Sequence, residues 1–202
     1  MKHLILLFLL VVINSHAQTG LRFDKRFVDC EDKWVVFRPD KDGTYSYGFI
    51  YIDEQAGLTH QVGGKFTIAK DGAYVRISQS LDSTNIKVRL EPNQVRVALL
   101  PPAAYTSLKI NATPEWLHFY KTDTVSTKHL FRWGFLYNSW DESAKALTYL
   151  QRAQQIDPTF SGLAPELAYT YNALQQYYKA IAVALSGLQI FPNNCYTYKE
   201  LS

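Results

Sequence analysis

The chain has 202 residues, 47% of them hydrophobic and 14% aromatic, which is ample for a packed core in one or two domains and excludes a disordered chain. The formal net charge of +3 is spread without any long basic run, so nucleic-acid binding, which needs clustered lysines and arginines against phosphates, is not expected. In chain order, Met1-Lys2-His3 precedes an apolar run over residues 4–13 and then Asn14-Ser15-His16-Ala17-Gln18, with small residues at the two positions a signal peptidase reads before a cut after Ala17. Residues 1–17 therefore read as a bacterial-type secretory signal peptide, too short for a permanent membrane anchor. Its removal takes Lys2 away and lowers the net charge from +3 to +2. No cysteine follows the cut, which argues against a lipoprotein, and no later segment is a transmembrane candidate. The expected destination is the periplasm, the cell envelope or the exterior.

Residues 18–104 read as a small antiparallel β domain, a sandwich or open barrel of six or seven strands. Trp34-Val35-Val36-Phe37, residues 44–52 and residues 58–62 are strand candidates separated by Gly- and Asp-containing turns. Over residues 65–78, Asp71-Gly72 is expected to be a two-residue hairpin turn. That register sets Ile68 opposite Val75 and Phe66 opposite Ile77 on a buried face, with Thr67 opposite Arg76 outside. A second hairpin is expected over residues 84–100, with Leu90, Val88 and Ile86 facing Val95, Val97 and Leu99 and with Arg89 opposite Arg96. Gly63-Gly64-Lys65 lacks the spacing of a phosphate loop and reads as a bulge or bend. Pro101-Pro102 closes the β region. Residues 105–126 form a linker in which Thr113-Pro114-Glu115 opens a short helix running to Tyr120, expected to cover the N-terminal face of the helical region after it.

From residue 127 the pattern turns helical and repeats. Pro158 and Pro192, Ala146 and Ala180, and Tyr137 and Tyr171 are each 34 residues apart. The first copy, residues 127–160, carries Trp133, Gly134, Tyr137, Ala146, Leu150, Ala153 and Pro158; the second, residues 161–194, carries Leu167, Ala168, Tyr171, Ala180, Ala184, Gly187 and Pro192. Small residues let paired helices approach, the aromatic fills the space between hairpins and the proline ends the second helix. This pattern resembles the tetratricopeptide repeat, over residues 127–202 only, with residues 195–202 beginning a third copy. The fold class is thus α+β, a β domain followed by an all-α helical-hairpin array.

The resemblance implies a protein-binding surface built from the first helix of each hairpin. Its candidate contact residues are Phe131, Phe135, Asn138, Tyr169 and Asn172. Aromatics at Phe131 and Phe135 replace the polar carboxylate clamp of some family members, so an apolar or aromatic-bearing segment is the expected ligand. No acid, base or nucleophile constellation and no metal-ligand spacing is present, and no cofactor is expected. His60, His118 and His129 read as ordinary histidines. Cys30 and Cys195 allow one disulfide or two free thiols, and both alternatives stay open. The expected function is an exported interaction or scaffold module with a protein or peptide partner; the alternative is a carbohydrate- or envelope-surface-binding β domain with the array as spacer. The second helix of copy two offers Tyr178, Ile181, Leu185 and Leu188 with only a helical stub beyond them, so self-association through this apolar edge is also expected.

Overall fold

Six antiparallel strands make one open sheet in the computed structural model, which describes residues 20–77 and 86–202. The predicted signal peptide and parts of both predicted hairpins, Ser78 and Thr84 among them, lie outside those residues. The strands are β1 (Lys33–Val36), β2 (Tyr45–Asp53), β3 (Gly57–Ile68), β4 (Tyr74–Ile77), β5 (Lys87–Arg89) and β6 (Ala98–Leu99). Their order is β4-β3-β2-β1-β6, with β5 also beside β3. The α+β class is as expected. The described residues contain one sheet, not the two of a sandwich, and β4 and β6 end the order without pairing to close it.

Helices cover both faces of this sheet, which explains why its strands read as apolar on both sides. On one face Trp34, Val36, Tyr47, Phe49, Tyr51 and Phe66 pack under α1 (Ala103–Leu108) and a 3-10 helix, Glu115–Tyr120. That helix begins after Pro114 and sets Trp116 edge-on to Phe49 and Tyr51, at 5.8 and 4.9 Å between ring centroids. It therefore caps the sheet through aromatic contacts, and not the end of the helical array as the sequence suggested. On the other face Val35, Ile50, Ile52 and Leu58 join Phe27 and Val28 of another 3-10 helix, Phe27–Cys30. The same core contains Leu130, Trp133, Leu136 and Tyr137 of α2 (Thr127–Ser139). Sheet and array thus share one core.

Both predicted hairpin registers are corrected. The β3–β4 connection closes with Ala69 paired to Ala73 around three residues, Gly72 taking φ +86°. A type I turn followed by a left-handed glycine is the three-residue hairpin loop, one residue longer than the predicted turn. The extra residue slips β4 by one position, so Ile68 opposes Tyr74 and Phe66 opposes Arg76. Val75 is consequently turned outward, 48% exposed, while Tyr74 packs on Phe66 at 5.5 Å. The second hairpin does not form. β5 pairs with β3 and β6 with β1, because those longer strands carry open edges whose backbone groups need partners. Of the residues that hairpin would have matched, Ile86, Val88, Val95 and Leu99 stay exposed. Arg89 pairs instead with Glu91 at 2.8 Å. Gly63 is the extra residue of a bulge, since Tyr47 opposes Gly64 and Gly48 opposes Val62.

The array consists of α2, α3 (Ser143–Ile156), α4 (Leu163–Ala173), α5 (Tyr177–Ile190) and the short α6 (Cys195–Glu200). Cys30 is buried in the shared core and Cys195 is exposed on α6; they do not pair. Among the described residues no helix is long and apolar enough to cross a membrane.

Candidate functional site

The 34-residue recurrence is present in backbone and side chains alike. Each hairpin turns through a left-handed residue, Asp141 at φ 59° and Gln175 at φ 58°. The turn is closed in the same way twice, by Glu142 N–H to the Tyr137 carbonyl at 2.9 Å and Gln176 N–H to the Tyr171 carbonyl at 2.8 Å. Lys145 lies over the Tyr137 ring and Lys179 over the Tyr171 ring, at 5.5 and 5.7 Å. Gly134 is needed where α2 and α3 meet, because a Cβ there would come within 2.4 Å of Leu150 Cγ.

The junctions between units repeat as well. The Asn138 amide donates to Glu166 Oε1 at 2.7 Å and to Thr170 Oγ1 at 2.8 Å; the Asn172 amide donates to the Glu200 carbonyl at 2.8 Å and to its carboxylate at 3.3 Å. Asn138 is only 3% exposed. These two candidate contact residues therefore commit their donors to the next first helix, and Asn138 cannot reach a ligand. Phe131 is also largely internal, 5.2 Å from the Phe160 ring and over Gly162. Phe135 and Tyr169, 43% and 38% exposed, remain open on equivalent positions of α2 and α4. Burial, with Asp141, Glu166 and Glu200 nearby, raises the Tyr169 phenol above its ordinary range. The exposed row is thus aromatic with an acidic border.

Where α2 meets the sheet, the β half takes the place of a preceding hairpin. Tyr171 accepts from Gln151 of the first unit at 3.1 Å, whereas Tyr137 donates to Glu31, just beyond the 3-10 helix Phe27–Cys30. Glu31 also accepts from Trp133 Nε1 at 3.3 Å and Lys121 at 3.4 Å. Asp32, in a left-handed conformation at φ 56°, binds Lys121 at 2.8 Å. Arg26 joins Asp29 to Glu142 at the start of α3, and Arg132 donates to the carbonyls of Glu54 and Gln55.

Two polar clefts open on either side of the segment 121–126, and His129 and Trp133 line both. The larger, about 420 Å³, has Glu31, Asp32, Lys121 and Arg152 on its walls. The smaller, about 300 Å³, has Asp53, Glu54 and Asp123. Neither cleft was legible in the sequence, since each joins residues far apart in the chain; the histidine and tryptophan one helical turn apart on α2 were the only local signal. No protein-family model matches the chain, and no curated protein does.

Proposed function

We propose that the chain is an exported interaction or scaffold protein of tetratricopeptide type, binding a protein or peptide through the first-helix surface of its array and having no catalytic role. The recurrence of the asparagine-to-glutamate contact at both junctions carries this reading, because it supports a regular stack whose first helices adjoin. On that surface Phe135 and Tyr169 supply the exposed aromatic contacts, and an apolar or aromatic-bearing segment is the ligand they suit. Burial of both sheet faces under helices leaves little flat strand surface for a glycan, which favours the array over the β half.

Capture from the exported fraction tests the reading. The wild-type chain should retain a partner that the double variant Phe135→Ala, Tyr169→Ala releases, with circular dichroism unchanged. Equal retention by both would remove this surface from consideration. The mature protein should begin at Gln18, read by mass spectrometry of the exported chain; retention in the cytoplasm would overturn the export reading.

A further inference from the structure

We propose that the smaller cleft between the β2–β3 turn, the segment 119–123 and α2 is a binding site for an organic cation, an alkylguanidinium or alkylammonium group carried by a free amine or by a basic side chain. Asp53 and Glu54 stand on one wall and Asp123 on the other, while Phe119, Tyr120 and Trp133 add aromatic surface. Carboxylates bordering aromatic faces favour a cation with an apolar stem, through charge-assisted hydrogen bonds and cation–π attraction.

A second observation points to a ligand. His129 is 7% exposed, its ring has no hydrogen-bond partner among the described residues, and it lines the cleft. It is held in place by stacking on Trp133 at 3.7 Å, so a ring nitrogen is left to accept from an N–H donor. Burial lowers the basicity of this imidazole, which keeps it a neutral acceptor at neutral pH. Its ring nitrogens are not among the side-chain atoms sealed from solvent without a partner, so a donor entering the cleft can reach them.

The geometry also selects against a simple metal ion. Among the described residues, no three His, Cys, Asp or Glu side chains converge as metal ligands do. A volume of about 300 Å³ between separated carboxylates suits a larger cation that can reach several of them. The chain itself already brings ammonium groups to the rim: Lys128 pairs with Glu54 at 3.1 Å, and Lys87 lies 5.1 Å over the Tyr120 ring. Both are flexible side chains at the edge, and neither reaches His129 by a hydrogen bond. The site is separate from the Phe135–Tyr169 row, so its test is independent of the proposed array function.

Titration calorimetry on the full chain would use agmatine, a capped arginine peptide and the matching citrulline peptide as the uncharged control. Saturable binding of agmatine or the arginine peptide, with a shift of the His129 ring resonances, is the expected result. Binding of both assigns a basic side chain as the natural group; binding of agmatine alone assigns a free amine. Glu54→Gln, which touches only an exposed ion pair and should fold normally, is expected to weaken binding about threefold to tenfold, as is His129→Gln. Equal binding of the citrulline peptide, unchanged affinity in both variants, or no saturable binding of either cation would overturn the assignment.

Discussion

His60 is the buried residue whose chemistry most directly affects stability. It is 7% exposed, lies edge-on to Phe37 at 4.9 Å, and its ring sits over Gly48, diagonally across the sheet from it, where a Cβ would come within 2.1 Å of the ring. Burial lowers its pKa from 6.5 to about 4. Between those values the unfolded chain takes up a proton that the folded chain refuses, so this contribution is constant above pH 6.5 and is lost as pH falls toward 4. The loss should approach about 3 kcal/mol at the acid end of the window. Chemical denaturation at several pH values should show it, and His60→Leu, which cannot titrate, should fall less steeply with acid than the wild type. Phe66, fully buried in the other core, should cost about 3 to 5 kcal/mol as Phe66→Ala, read from the denaturation midpoint. Gly134→Ala should destabilise the first hairpin by about 1 to 3 kcal/mol despite alanine's helix propensity, and the same substitution should cost less when made in a Leu150→Ala background, as a double-mutant cycle would read.

At the level of elements, the β3–β4 register makes a prediction that the alternative register reverses. Val75 faces outward, so Val75→Thr should change stability by less than about 0.5 kcal/mol. Tyr74→Ala should cost more than about 1 kcal/mol, since its ring packs on Phe66. Opposite ranking of the two midpoints would restore the two-residue turn. The sequence located β1, β2, the start of β3 and every array helix, because apolar periodicity, Asp-Gly and the recurring Pro, Ala and Tyr positions act locally. It misjudged pairing where the decision was not local: Asp-Gly suits both two- and three-residue loops, and Val88 and Leu99 alternate well enough for a hairpin until the open edges of β3 and β1 compete for them. The candidate contact residues divided in the same way. Phe135 and Tyr169 were legible from their place in the repeat, but Asn138 and Asn172 were not recognisable as junction bonds until Glu166 and Glu200 came beside them.

For the whole molecule, the shared core makes sheet and array unfold together. Heat denaturation should give one transition with coincident near- and far-ultraviolet signals. A fragment of residues 127–202 should lose its near-ultraviolet signal, because Leu130, Trp133 and Leu136 pack against the sheet. The far side of the array is less covered: Tyr178, Ile181 and Leu185 on α5 are all exposed, Tyr178 almost fully. Concentration-dependent association by light scattering is therefore expected, relieved by replacing these three with polar residues; a strictly monomeric wild type would argue against it. The matching bonds at the two junctions have a further consequence. A second copy of residues 161–194 inserted after Asn194 would present Glu166 to Asn172 on one side and Asn172 to Glu200 on the other, with no side chain needing redesign. The chain is in this sense built to grow by tandem duplication, its first-helix surface lengthening in fixed increments while the sheet that anchors it stays unchanged.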